Sequence, residues 1–220
     1  MGLNCGCPVG SALTTLTTSP CKSSFGQIQR LLFQRRVKAD GTLNVITEAA
    51  IKTLAGWNAL IAANDYTKVT VSPDINNPET EPGAPRTFGG DNQTIGGQEI
   101  IIGREPTAFT SMLYEEDQAL IKQLKDYQCE DLAVYFIDEY GNIGCYDAGQ
   151  SGSPATQNYR GVPVRSFFVG DKDFGGFSEP DSNALNFSLE PNWSDKLVIL
   201  RQSTFTDGFN PLTDLANPTT

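Results

Sequence analysis

The chain has 220 residues, enough for one large domain or two small ones, and 39% of them are hydrophobic, too many for a disordered chain. The 21 glycines and 13 prolines predict many turns and few long helices. The net charge of −10 repels phosphate and argues against sequence-specific binding of nucleic acid. No run of 18 or more apolar residues occurs, so no membrane span is predicted.

Five cysteines and no histidine limit the metal and redox chemistry. The amino-terminal residues lack the basic and apolar regions of a secretory signal, and an odd number of cysteines then indicates reduced thiols in a cytoplasm. Zinc would need a four-cysteine site that combines Cys5, Cys7 and Cys21 with Cys129 or Cys145. Unpaired thiols are the simpler interpretation, and we expect no cofactor and no metal.

The amino-terminal half predicts an arm, a strand and a helix. Residues 1–24 are rich in Gly, Ser, Thr and Pro and are interpreted as an extended arm. Residues 25–36 predict a long strand, which an Asp40-Gly41 turn follows. Residues 47–64 predict a helix capped by Thr47, with a strand over 66–71 after it.

Residues 73–98 are interpreted as a long loop because Pro and Gly clusters interrupt them throughout. A buried strand is expected at 99–102. A second helix is expected next, capped by Thr110 or Ser111, with Glu115, Glu116 and Asp117 in its first turn. Its predicted apolar stripe contains Leu113, Leu120, Ile121 and Leu124.

The carboxyl-terminal half predicts a β-meander. Strands are expected at 132–137, 143–146, 162–169, 183–190 and 196–202, with a Gly- and Ser-rich loop at 147–161. The predicted fold is α+β, mainly β: an antiparallel β-sandwich or barrel flanked by about two helices. One domain covers 25–203, and 204–220 are a polar tail.

Catalytic motifs are missing from the sequence. Without histidine there is no Ser-His-Asp or Cys-His site, and neither a Gly-x-Gly fingerprint nor a P-loop occurs. The acids 115–117 are interpreted as favourable charges at a helix amino terminus, and Asp171–Gly176 as a Gly-rich turn rather than a calcium loop. We therefore expect a protein that is not an enzyme, although a hydrolase with two distant acids stays open.

The order of elements resembles the tail-tube family of long-tailed bacteriophages and the related ring proteins. The resemblance covers about residues 25–203. Two stretches carry it: Phe-Gly-Gln-Ile-Gln-Arg at 25–30 after a Cys-rich arm, and Pro-Val-Arg-Ser-Phe-Phe-Val at 163–169 before Gly175-Gly176-Phe177. Both are similar to virion proteins of phages that infect gut Bacteroidetes.

The resemblance implies a β-sandwich or barrel that closes into a ring of six copies, or twelve in some ring proteins. The inner sheet would line a channel through which viral DNA passes without specific binding, and residues 1–24 and 73–98 would reach the neighbouring ring. Adjacent tail or connector proteins would be further partners, in a virion made in the bacterial host cytoplasm.

Candidate residues follow from this resemblance and from the strand pattern. The basic cluster at 30–38 either protects a strand edge or meets the acids of an identical neighbour. The subunit-interface candidates are Arg30, Arg35, Arg36, Arg86 and Phe88. The lumen candidates are Asn186, Ser188 and Glu190, because Leu185, Phe187 and Leu189 alternate with them and must point into the core.

Other functions stay open on the sequence. One is a capsid decoration, head-fibre or head–tail connector protein of the same particle. Another, from a different class, is a β-sandwich module that binds carbohydrate or a cell surface, which an exposed cluster of aromatic side chains would favour.

Overall fold

A computed structural model describes residues 24–152 and 155–218. The described chain divides into a small unit, residues 84–105, and a large unit, residues 25–83 with 106–218. The large unit contains both hydrophobic cores. The predicted amino-terminal arm, with Cys5, Cys7 and Cys21, lies outside the described residues except for Ser24.

Strands dominate the described residues, and all their pairings are antiparallel. The strands are β1 (Ile28–Arg35), β2 (Ile46–Thr47), β3 (Val69–Val71), β4 (Asn76–Glu81), β5 (Pro85–Gly89), β6 (Glu99–Arg104), β7 (Thr107–Tyr114), β8 (Leu132–Asp138), β9 (Ile143–Ser151), β10 (Thr156–Arg160), β11 (Val162–Val169), β12 (Ser182–Leu189) and β13 (Leu197–Leu200). The helices are α1 (Glu48–Ile51), α2 (Leu54–Ile61), α3 (Gln118–Asp126) and α4 (Pro211–Asp214). Short 3-10 turns cover Ile95–Gly97, Tyr127–Cys129, Trp193–Lys196, Gln202–Thr204 and Thr206–Gly208.

Strand β8 is the centre of the large sheet and is buried along its whole length. Its continuous apolar sequence is the pattern of a strand that is covered on both faces. One edge of β8 pairs with β1; the other pairs with β11 near its amino terminus and with β9 near its carboxyl terminus. The sheet therefore divides at β8 into two branches. The first contains β9, β10, β2 and β13, and the second contains β11, β12, β7 and β4.

The second branch, β11-β12-β7-β4, packs over one face of β1 and β8. A bulge between Arg165 and Phe168 turns β11 into this branch, and Ser166 adopts φ 51° there. Aromatic rings fill the space between the layers. Phe109 stacks on Phe187 at 4.4 Å between ring centroids, and Phe136 of β8 lies 6.0 Å from Phe109.

A second core covers the opposite face of β1 and β8. Leu32, Tyr135 and Ile137 point to this side, where they meet α1, α2 and the segment after β13. Trp57 of α2 is fully buried and lies edge-on to Tyr135 at 5.2 Å. The large unit thus has three layers: the second branch, the β1–β8 sheet, and a layer of helices with the carboxyl-terminal segment.

The predicted fold class, α+β and mainly β with an antiparallel sheet, is confirmed. Predicted strands at 25–36, 132–137, 162–169 and 183–190 correspond to β1, β8, β11 and β12. Thr47 caps α1 as expected, and its side chain accepts from the Ala50 amide.

The predicted loop at 73–98 was wrong, because β4 and β5 lie inside it. Pro78 is tolerated since β4, as far as residues 24–152 and 155–218 show, is an edge strand that pairs only with β7, and Pro85 is the first residue of β5. The strand predicted at 99–102 exists as β6, but it is not buried. Pro85 and Gly89 mark the two ends of β5, whereas Pro78 lies inside β4, so the Pro and Gly residues do not make this segment structureless.

The start of the second helix was predicted too early in the sequence. Residues 107–114 form β7, in which Thr107, Phe109, Ser111 and Leu113 alternate inward. Helix α3 begins after Asp117, whose carboxylate accepts from the Ala119 amide. Leu113 therefore belongs to a strand and not to the helical stripe.

Three other boundaries differ from the prediction. The helix expected at 47–64 is broken between α1 and α2, where a side chain on Gly56 would lie 2.2 Å from the Ala50 carbonyl oxygen. The loop expected at 147–161 contains the end of β9 and all of β10. The expected polar tail at 204–220 instead buries Phe205, Phe209 and Leu215 in the second core.

Candidate functional site

The small unit is a β-hairpin made of β5, β6 and the turn between them. Its tip contains Gly89, Gly90, Gly96 and Gly97, all with positive φ, a conformation that glycine adopts without strain. The Thr94 hydroxyl donates to the Gln98 carbonyl oxygen at 2.6 Å and closes the turn. Local sequence thus specifies a hairpin, although it has only two strands.

No residue between 84 and 105 is buried. The apolar side chains of the hairpin are largely exposed: Phe88 51%, Ile101 59%, Ile102 63% and Ile95 100%. A two-stranded hairpin is only marginally stable in water without a further strand or a covering surface. Large exposed apolar side chains on such a hairpin are typical of an interaction surface.

Two of the predicted interface residues, Arg86 and Phe88, lie on this hairpin. Phe88 is opposite Ile100 in the strand register. The Arg86 Nε lies 3.5 Å from a Glu105 carboxylate oxygen, and both side chains are more than half exposed. An exposed pair of this kind contributes about 0–1 kcal/mol, so both charges can exchange partners at little cost.

Arg30 is bound within its own chain. Its guanidinium donates to Asp74 at 2.5 Å and to the Leu212 and Leu215 carbonyl oxygens at 2.7 and 3.2 Å. These bonds join β1 to the carboxyl-terminal segment. The subunit-boundary role of Arg30 stays a prediction, but any neighbour would have to compete with these internal partners.

Arg35 and Arg36 also have partners within the chain. Arg35 donates to Glu130 at 2.5 Å and lies over the Tyr66 ring at 4.4 Å, and the Glu130 hydrogen bond raises the pKa of the guanidinium. Arg36 donates to Asp131 at 2.8 Å. The three arginines of this group thus have partners within the large unit, whereas Arg86 and Phe88 belong to the small unit.

Two of the three lumen candidates, Asn186 and Ser188, lie on the outer face of β12, and the third, Glu190, directly follows the strand. Asn186 and Ser188 are half-buried and Glu190 is exposed, while the alternating Leu185, Phe187 and Leu189 are buried. Ser188 donates to the Arg165 carbonyl oxygen at 3.2 Å, and Glu190 accepts from Arg165 at 2.9 Å. The predicted alternation is confirmed; the identity of this face as a lumen stays a prediction.

The strand register extends this outer face across β7 and β4. Residues directly opposite each other share a face, so Glu79 lies beside Thr110, and Glu81 beside Ala108. Both glutamates are exposed. Together with Glu190 they give the second branch an acidic outer face, with Arg165 as a basic neighbour.

The acids at 115–117 precede α3 and do not lie in its first turn, where the sequence had predicted them. Asp117 caps α3, and Glu115 adopts φ 55° in the turn before it. Partial burial, with the charge of Asp74 nearby, raises the pKa of Glu116. Among residues 24–152 and 155–218, no group of three or more Cys, Asp or Glu is placed to hold a metal ion.

Sequence reasoning missed several exposed apolar residues. Ile101 and Ile102 belong to a run that looks like a buried strand, and Ile95 lies in the Gly-rich tip. Phe174 and Phe177, 79% and fully exposed, lie in the loop between β11 and β12. The available signal was large apolar side chains close to Gly-rich turns, which could have marked an interaction surface.

Comparison with known proteins does not identify a family. No protein-family model matches the chain, and no match was found among curated proteins or solved structures. In the described part of the chain, no helix has the length and apolar character needed to cross a membrane.

Proposed function

We propose that this chain is a non-enzymatic virion subunit that assembles with copies of itself into a ring of a phage tail tube or tail barrel. The ring would form a conduit for viral DNA and would contact adjacent tail or connector proteins. The exposed apolar hairpin carries this proposal, together with the resemblance of the element order to tail-tube proteins.

The hairpin supports assembly because its side chains have no core of their own. Phe88, Ile101 and Ile102 lie on adjacent strands, and each is more than half exposed. Burying an isoleucine side chain fully contributes about 1.5–3 kcal/mol. The strand register places Phe88 and Ile101 on opposite faces of the hairpin, so neighbouring copies that cover both faces would stabilise the contact and the hairpin.

The charge distribution supports a conduit. DNA is held by Lys and Arg that replace its counterions, and an acidic wall avoids such contacts. The outer face of the second branch carries Glu79, Glu81 and Glu190, and this acidic character makes it a lumen candidate.

Mass photometry of the purified chain over a range of concentrations tests the proposal. We expect discrete ring masses in the native chain and monomers in the Ile101→Ser/Ile102→Ser variant. Losing most of one isoleucine's burial weakens each contact about tenfold or more. Leu43→Ser is a matched control, since Leu43 is an aliphatic residue of the large unit that is 41% exposed.

The outcome separates this proposal from its alternatives. A native chain that stays monomeric at every concentration contradicts self-assembly. A monomer that binds purified capsids would instead favour the decoration or head-fibre alternative.

A further inference from the structure

An open cavity of about 430 Å³ lies on the large unit beside the carboxyl-terminal end of β1. Its lining comes from β1, from residues 64–70 and from residues 127–132. Small-molecule sites in proteins typically have volumes of about 300–1,000 Å³. The cavity is therefore large enough for a small organic ligand.

Aromatic rings form the apolar walls of the cavity. Phe33 and Tyr127 meet edge-to-face at 6.2 Å, and the Tyr127 hydroxyl bonds the Thr70 hydroxyl at 3.2 Å. Tyr66 is 44% exposed, with the Arg35 guanidinium 4.4 Å from its ring centroid. The electron-rich face of such rings attracts groups with partial positive charge, including polarised C–H bonds.

The loop that carries Tyr66 is fixed before any ligand binds. The Gln34 side chain donates to the Thr67 carbonyl oxygen at 2.7 Å, and Asn44 donates to the Tyr66 carbonyl oxygen at 2.8 Å. The Asp65 carboxylate accepts from the Thr67 amide at 2.8 Å. A preformed wall reduces the conformational entropy that binding would cost.

Unused hydrogen-bonding groups surround these rings. The Asn64 amide and the Lys68 ammonium have no side-chain partner within residues 24–152 and 155–218. Asp65 and Glu130 each use one carboxylate oxygen for the bonds described above, so each keeps a second one. The cavity thus offers donors and acceptors together.

The charges of the lining balance. Arg35 and Lys68 are positive, while Asp65 and Glu130 are negative. An anionic ligand would meet two carboxylates, and a cationic ligand would meet an arginine and a lysine. A neutral molecule with many hydroxyl groups avoids both conflicts, because each hydroxyl donates one hydrogen bond and accepts others.

We propose that this cavity binds a neutral saccharide unit, with the sugar hydroxyls bonded by Asn64, Lys68 and the two carboxylates and a C–H face of the ring against Tyr66 or Tyr127. This recognition function is independent of ring assembly. It gives the subunit a second activity, the binding of a glycan, at a site separate from the outer face of β12.

Saturation-transfer difference NMR on the full chain tests the proposal. The probes are the methyl glycosides of glucose, galactose, mannose and N-acetylglucosamine, with benzoate and benzylamine as charged probes of similar size. We expect saturation of at least one glycoside. The Asn64→Ala/Lys68→Ala variant should bind it at least about tenfold more weakly, since two hydrogen bonds are lost.

The variant should fold normally because both side chains are exposed and unbonded in the described chain. Asn92→Ala/Lys122→Ala is the matched control, with the same residue types at exposed positions outside the cavity. Three results would overturn the proposal: saturation of none of the four glycosides, unchanged affinity in Asn64→Ala/Lys68→Ala, or displacement of the glycoside by either charged probe at equal concentration.

Discussion

Replacing Asp138 by asparagine should destabilise the large unit strongly. The Asp138 carboxylate is fully buried and accepts four hydrogen bonds. The amides of Tyr140 and Asn142 donate to one oxygen at 3.0 and 2.8 Å. The Gly26 amide and the Asn142 side chain donate to the other at 2.9 and 2.8 Å. This carboxylate thereby joins the β8–β9 turn to the chain that enters β1.

The loss of stability follows from the donors that an asparagine side chain could not satisfy. Its NH₂ group would face two of the four donors, and a buried donor left without an acceptor costs about 1–3 kcal/mol. Asn142 cannot rotate to help, because its own side-chain oxygen accepts from the Gln202 amide at 3.0 Å. Asparagine is neutral, so the variant no longer pays the cost of burying a charge, and this offsets part of the loss. We therefore expect the free energy of unfolding to fall by about 3 kcal/mol, which lowers Tm by about 6–12 °C.

Urea denaturation followed by tryptophan fluorescence measures this free energy of unfolding. Asp40→Asn is the control, since Asp40 makes comparable bonds to the Thr42 amide and hydroxyl in an exposed turn. The control should lose less than about 1 kcal/mol. A loss below about 0.5 kcal/mol in Asp138→Asn would contradict this expectation, because the buried donors would then have found other acceptors.

Three further changes, the first with a control variant, test other parts of the fold. Gly161→Ala should cost about 1–3 kcal/mol of unfolding free energy, because the new methyl, at the junction of β10 and β11, would lie 2.8 Å from the Ala133 methyl of β8. Gly103→Ala, which meets no atom within 4 Å, should cost less than half as much in the same denaturation assay. Asn217→Ala should speed amide hydrogen exchange at the edge of β3. The Asn217 side chain accepts from the Val71 amide at 2.9 Å and donates to the Val71 carbonyl oxygen at 2.7 Å. Unchanged exchange would mean that these two bonds do not protect the edge. Lys125→Met should raise the pKa of Asp171 to its ordinary range, since the hydrogen bond and charge of Lys125 lower it. The lowered pKa adds stability at neutral pH, and this stability is lost as the pH falls through the pKa of the folded protein. Carbon-detected NMR titration of the carboxyl group measures the pKa, and an unchanged value in the variant would contradict the pairing.

The elements that sequence predicted well are those whose pattern has one structural solution. Strand β12 alternates Leu185, Phe187 and Leu189 with polar residues, and a period of two fits only a strand with one buried face. The continuous apolar run of β8 is ambiguous by period, but its length and β-branched content favour a central strand.

The elements that sequence predicted poorly depend on distant partners. Whether Pro78 ends a strand or sits on one depends on β4 being at a sheet edge, which local residues do not reveal. Phe205 and Phe209 are isolated apolar residues in a polar stretch, and they become core residues only because the open face of β1 and β8 is nearby. Packing against a remote surface decided both outcomes.

The candidate site shows the same limit. A run of three isoleucines at 100–102 predicts burial, and the sequence cannot distinguish burial in the chain's own core from burial against a neighbour. The arginines of β1 suggested an intermolecular surface, yet Asp74 and Glu130 satisfy Arg30 and Arg35 from other elements of the same chain.

Negative-stain electron microscopy of the native chain and of Ile101→Ser/Ile102→Ser is the most direct test of ring assembly through the hairpin. We expect closed rings of uniform diameter for the native chain and their loss in the hairpin variant, while Leu43→Ser still forms rings. Separate monomers at high concentration, or rings that persist unchanged in the hairpin variant, would contradict it.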